Sequence, residues 1–172
     1  MFRILLASAA MAVVLASPTF AQADLTDPQI AHIAYTAGEL DIASAEQALR
    51  KSTNPEVTEF AETMVRDHRA VNEQALSLLE KLGVEPQDNA TSAALSEAAE
   101  AKLEELEALE GEAFDAAYVA NEVAFHQTVN EALEATLIPS AENAELKALL
   151  ESGLTLFGEH QMHAEHLAAT FK

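Results

Sequence analysis

Residues 83–110 read GVEPQDNATSAALSEAAEAKLEELEALE, and this stretch decides between two ways of folding the chain. It opens on breakers, Gly83 and Pro86, that end whatever precedes it. From Thr91 to about Leu109 it is rich in Ala and Glu, with Leu95, Leu103, Leu106 and Leu109 as the main apolar positions. Such a composition favours helix. The stretch is too long for a turn between neighbouring helices, which commonly takes two to eight residues. It can instead carry a helix back along the length of a bundle.

The segments on either side complete the pattern. Thr26-Asp27-Pro28 starts a helix that runs to about Lys51, and Ser52-Thr53-Asn54-Pro55 closes it and caps the next. That second helix shows helical spacing through Val57, Phe60, Met64, His68, Val71, Ala75 and Leu79. After Gly111 a further helix is marked by Phe114, Tyr118, Val123, His126, Val129, Leu133 and Leu137, and Pro139 and Ser140 are expected to break it. The last helix reads Leu146, Leu150, Gly153, Phe157, His160, Ala164, Leu167 and Phe171 in steps of three and four. No alternating strand pattern competes. Two short-looped pairs, each an antiparallel hairpin, joined by a long crossover give an all-α, ferritin-like helical bundle. A plain up-and-down five-helix bundle is the alternative.

The N-terminus reads as an address. Arg3 is followed by an apolar, Ala-rich run from Ile4 to Leu15, then Ser17-Pro18 and the small-residue sites Thr19-Phe20-Ala21 and Ala21-Gln22-Ala23. This is the pattern of a secretory signal peptide over residues 1–23, cut after Ala21 or Ala23, with residues 24–172 as the bundle domain. The apolar run is too short for a membrane span, which needs about 20 residues. The expected location is the periplasm, with no stable membrane insertion after cleavage.

Charge narrows the partners. With 9 Lys+Arg against 29 Asp+Glu the formal net charge is −20, and losing Arg3 would take it to −21. An acidic surface repels phosphate backbones, so nucleic acid is excluded as a partner. Metal cations and basic proteins remain. The seven Glu between Glu97 and Glu112 read as a solvated face. There is no Cys, hence no disulfide, thiolate site or cysteine nucleophile. G-x-S-x-G, a phosphate-binding Gly loop, a dinucleotide fingerprint and HEXXH are also missing, and nothing marks the chain as an enzyme.

The chemistry lies in histidines on apolar stripes. His68, His126 and His160 occupy core-facing positions of three different helices, where only facing side chains can converge on an ion. Glu122 and His126 share a face, as do His160 and His163, and Glu39 lies on the first helix in a row with His32. Folding the first two helices about Thr53 sets His68 near Glu39. Folding the last two about Pro139 brings Glu122 within about a turn of His160 and leaves His126 about 10 Å away along the axis. The candidate ligands are therefore His68, His126, His160, His163, Glu39 and Glu122. The most compact set is Glu39, His68, Glu122 and His160, with His126 joining if the loop shifts the register. Their ion would be divalent zinc, iron or copper. The competing interpretation is buried histidines satisfied by carboxylates such as Asp67 or Glu122 in a metal-free interaction or structural domain. Met64 reads as core.

Three stretches carry a resemblance: VTEFAETMVRDHRAVNEQAL (57–76), FDAAYVANEVAFHQTVNEALEATLIPSAENAELKALL (114–150) and GEHQMHAEHLAAT (158–170). They resemble the bacterial domain-of-unknown-function family 4142, whose members are often labelled membrane or outer-membrane proteins. The resemblance spans about Pro28 to Thr170, and its most specific feature is the Asp-His pair at Asp67-His68. It implies a ferritin-like bundle with recurring histidines at His68, His126 and His160. The Glu-x-x-His pairs of di-iron enzymes are absent, since Val65, Val123 and Phe157 stand three residues before those histidines. A role in envelope stress or metal handling is the expectation.

Overall fold

A computed structural model describes residues 25–171. Arg3, the apolar run and both cleavage sites lie outside the described residues. Helix α1 spans Asp27–Lys51, α2 Pro55–Leu82, α3 Ala90–Glu107 and α4 Gly111–Ala132. The last of these continues through a π-helical turn, Leu133–Leu137, into a short turn Ile138–Ser140, and α5 follows over Ala144–Ala168.

Local chemistry sets the boundaries. Asn54 accepts from the Glu56 N–H at 3.0 Å and Pro55 stands at the first helical position of α2. Gly83 ends α2 with φ 69°, a left-handed conformation that costs a glycine little. Asn89 and Asn143 cap α3 and α5 by accepting backbone N–H groups at 2.9–3.1 Å.

Contacts between distant residues fix the directions. The Asp27 carboxylate accepts from the Glu142 and Asn143 N–H groups, each at 2.9 Å, so the start of α1 meets the turn before α5. Lys51, at the other end of α1, pairs with Glu110 at 2.9 Å, beside the start of α4. Asn89 donates to the Gln29 carbonyl and Gln47 to the Leu103 carbonyl, so α3 runs alongside α1 in the same direction. Helices α2 and α4 are thus parallel, and α1–α2 and α4–α5 are antiparallel hairpins joined by α3. This is the ferritin-like arrangement rather than the up-and-down bundle.

One boundary differs from the sequence expectation. Pro139 does not break the helix; the chain stays helical to Ser140 and turns at Ala141–Asn143. The π-helical turn explains it. The Ile138 N–H reaches back to the Leu133 carbonyl, five residues away, and the widened turn accommodates a residue with no N–H to give. His126 and His160 become equidistant in sequence from Asn143, not staggered about Pro139.

Two apolar clusters fill the bundle. One gathers Phe60, Met64, Leu106, Phe114, Tyr118 and Leu167. The other gathers Ile30, Ile33, Leu79, Leu133, Leu150 and Phe157. Between them lies a buried polar layer: Asp41, His68, Glu122, His126 and His160. At its edge α1 and α2 approach closely, and a Cβ on Gly38 would sit 2.3 Å from Asn72 Oδ1. Asn72 is itself held by Glu39 at 2.8 Å. Gly38→Ala is therefore expected to cost about 1–3 kcal/mol of overpacking, measured by urea unfolding. An unchanged midpoint would show that Asn72 swings away freely.

Candidate metal centre

His68 leaves α2 one turn beyond Met64, His126 leaves α4 one turn beyond Glu122, and His160 leaves α5 one step beyond Phe157. Their ring centroids form a near-equilateral triangle, with separations of 5.6, 5.4 and 5.5 Å. One ring nitrogen from each lies within 4.8 Å of the others, and all three residues are buried. Asp41 closes the α1 side. Its Oδ2 stands 3.5 Å from His68 Nε2 and 3.6 Å from His126 Nε2. Glu122 sits beside it, with Oε2 3.8 Å from His126 Nδ1 and Oε1 accepting from the Ser44 hydroxyl at 2.9 Å.

Hydrogen bonds orient two of the rings. His126 Nδ1 lies 3.0 Å from the Glu122 carbonyl oxygen, to which it donates, leaving Nε2 without a partner. His160 Nε2 lies 3.1 Å from Asp67 Oδ2, leaving Nδ1 without a partner. In each the outer nitrogen is tied to an oxygen and the other keeps a lone pair, the support that metal-ligating imidazoles receive. His68 differs: both its nitrogens lack a hydrogen bond, and its ring stacks on Phe157 at 4.6 Å and 11°. Both Asp41 oxygens and Glu122 Oε2 are likewise unpartnered.

Burial shapes the charge state. It pushes His68 well below the ordinary imidazole range, and the neighbouring His126 and His160 push in the same direction. It lowers His126 to about 4. It also lowers His160, opposed by the Asp67 carboxylate. The imidazoles are therefore neutral at pH 7, the form in which a nitrogen can bind a cation. Burial raises Glu122 to about 7 against the hydrogen bond from Ser44, and raises Asp41 well above the carboxylate range with the charge of Glu122 adding to it. Burial would also raise Asp67, but hydrogen bonds from Arg66 and His160 hold it below the ordinary value.

Of the residues singled out by sequence, the structure brings together His68, His126, His160 and Glu122. Glu39 is exposed and engaged with Asn72, and His163 is exposed with its ring edge against Phe60 at 5.0 Å. Neither meets the triangle. Glu39 points away because the buried stripe of α1 passes through Ala37, Asp41, Ala45 and Ala48. His163 lies one turn beyond the site on α5. Asp41 is the residue sequence reasoning missed. Its signal is an acid with Ala at both the preceding and following turn, in a stripe of small side chains.

The chain matches the family described as "Domain of unknown function (DUF4142)" over residues 12–167. It belongs to the DUF4142 family. No curated protein matches it. Among solved structures it is similar to a DUF305 protein from Streptomyces coelicolor, with 11% identity and TM-score 0.71 over 86% of this chain and 94% of that one. It is also similar to CopM, solved in its Cu(II)-bound form, with 14% identity and TM-score 0.66 over 86% of this chain and 99% of CopM. At these identities the likeness is one of fold. This DUF4142 chain is thus a helical bundle with a His/carboxylate cluster able to hold a metal. No helix among its described residues is long and apolar enough to cross a membrane.

Proposed function

We propose that this DUF4142 protein is an exported metal-handling protein that binds one divalent ion through His68, His126 and His160, with Asp41 completing the set. The observation that carries this function is His68. A satisfied core histidine needs a partner, and a buried imidazole with two bare nitrogens facing two further imidazoles and the carboxyl group of Asp41 at 3.5 Å has no hydrogen bond. The separations of 3.5 and 3.6 Å from Asp41 to two histidine nitrogens suit neighbouring ligands about an ion held at roughly 2.0–2.2 Å from each.

Imidazole and carboxylate donors serve zinc, iron and copper. Copper(II) is the first ion to try, because CopM, whose fold is similar, is described in a Cu(II)-bound form. Export rests on the sequence of residues 1–23 and sets the site in the periplasm. The acidic surface, net −20, concentrates cations near the bundle.

Equilibrium dialysis of untagged protein against zinc, copper(II) or iron(II) tests the proposal. The expected result is one ion per chain in the wild type and in His163→Ala, and less than a tenth of that affinity in His68→Ala. Equal binding by all three proteins would move the site to the surface, and no binding by the wild type would leave a metal-free interaction domain.

A further inference from the structure

A cavity of about 310 Å³ opens between α1, α3 and the end of α4. Its deep wall is formed by Ile33, Leu133, Leu137 and Phe157, all buried. Thr91 and Thr128 are exposed and stand at its mouth. Among the described residues no charged or amide side chain lines it. Its only side-chain polar groups are threonine hydroxyls, and that of Thr128 donates to the Ala124 carbonyl at 2.9 Å. Ala34, Ala37 and Ala132 stand where larger side chains would close the space. A second, largely apolar space of about 260 Å³ adjoins it and shares Leu95 and Thr128. Together they extend along α3 from Thr91 to Leu103, about 18 Å at 1.5 Å per residue.

Native interiors hold few voids larger than a water molecule. Water deep in this one would lack the two to four polar partners that hold a buried water. An engineered apolar cavity of about 150 Å³ already binds benzene, and this space is larger. Lining and shape choose the ligand. Apolar walls ask for hydrocarbon, the lack of a cation leaves an anionic group without a partner, and the length along α3 favours a chain over a ring. We propose that this cavity binds one small, uncharged alkyl compound, its chain beneath α3 against Ile33, Leu133 and Phe157 and its polar end at the mouth. The source is a free molecule and not a bilayer lipid, because a surface of net −20 is repelled by anionic membranes. Phe157 lines the cavity and stacks on His68, so the site abuts the proposed metal centre without sharing any of its ligands. Binding there needs no ion.

The test uses the full chain in the presence of a chelator, with butan-1-ol, hexan-1-ol and octan-1-ol as probes and methyl NMR as the readout. Octan-1-ol should shift the Ile33, Val129 and Leu133 methyl signals saturably and leave those of the exposed Leu49 and Leu76 in place. Each added methylene should tighten binding about fourfold, the factor that about 0.8 kcal/mol per buried CH₂ gives. Octanoate, which carries a charge, and cyclooctanol, which is a ring, should both bind more weakly than octan-1-ol. Ala37→Leu narrows the cavity from α1 and Ala132→Leu from α4, and either should weaken octan-1-ol binding. If neither variant folds, the chain-length series still decides. Equal affinity along the series, octanoate or cyclooctanol binding as tightly as octan-1-ol, or wild-type titration in a folded variant would each overturn the proposal. So would shifts at Leu76 in place of Ile33. The same shifts with vesicles of phosphatidylethanolamine and phosphatidylglycerol would overturn the free molecule as the source. Because the chelator removes any ion, failure of metal binding would leave these outcomes unchanged.

Discussion

Copper(II) or zinc added to chelator-treated protein is expected to raise the unfolding temperature by roughly 5–10 °C, and in His68→Ala that rise should shrink to less than half. A ligand that binds only the folded state, present at 100 times its dissociation constant, stabilises it by about 2.7 kcal/mol. For a domain of about 150 residues each kcal/mol corresponds to roughly 2–4 °C. The His68 ring also stacks on Phe157, so its loss will cost stability without any metal. That packing loss, about 1–3 kcal/mol as is common for buried sites, is the same in the presence and absence of the ion. The comparison of the two increments cancels it. Differential scanning calorimetry at fixed free metal reads the result. An increment equal in wild type and mutant would remove His68 from the centre.

The second large effect is a pH dependence. Burial raises Glu122 from 4.5 to about 7 in the folded protein. Below pH 4.5 the carboxyl is protonated in folded and unfolded chains alike, and its favourable contribution is fully present. Between 4.5 and 7 the unfolded chain releases the proton while the folded one keeps it, so stability falls as pH rises. Above 7 the loss is complete, about 3 kcal/mol at 1.36 kcal/mol per pH unit. Gln at this position has no proton to lose. In metal-free protein, Glu122→Gln should therefore gain about 3 kcal/mol on the wild type between pH 4.5 and pH 8, measured by urea unfolding at the two values. His126 acts in the opposite sense. Lowered to about 4, it contributes stability that is present above pH 6.5 and lost as pH falls through 4, and the difference between variant and wild type leaves it out. A difference between the two proteins that does not change with pH would show that Glu122 gives up its proton at the same pH in the folded and unfolded chains.

Helix content, hairpin pairing and the crossover could all be read from the sequence, because each rests on local signals. Asn54-Pro55 and Gly83 bound α2, and 28 residues between Gly83 and Glu110 leave room for α3. The three inward histidines were legible for the same reason: His68, His126 and His160 fall on stripes whose other members are apolar. Register was less legible. It depends on which residue begins the turn, and Pro139 looks like the end of a helix that in fact passes through it. The π-helical turn at Leu133–Leu137 carries the helix past Pro139, where the sequence suggests only a break. The shift places His126 level with His160.

The acid on α1 was mistaken for a related reason. Folding about Thr53 puts His68 opposite Gly38 and draws attention to Glu39, whereas His68 and Asp41 are equidistant from the Asn54–Pro55 bond. The register is off by three residues, from Gly38 to Asp41. Glu39 and Asp41, two residues apart, lie on nearly opposite faces of α1, the glutamate exposed and the aspartate fully buried. Composition could not correct it, since both are acids in a chain with 29 of them. Burial decides, and burial is a property of the packed helices.

X-ray absorption spectroscopy of the zinc-loaded protein at its edge and extended fine structure bears most directly on the centre. The expected first shell is nitrogen and oxygen at about 2.0–2.1 Å with the outer-shell scattering of more than one imidazole, diminished in His126→Ala. A shell of oxygen alone, with no imidazole scattering in the wild type, would contradict it.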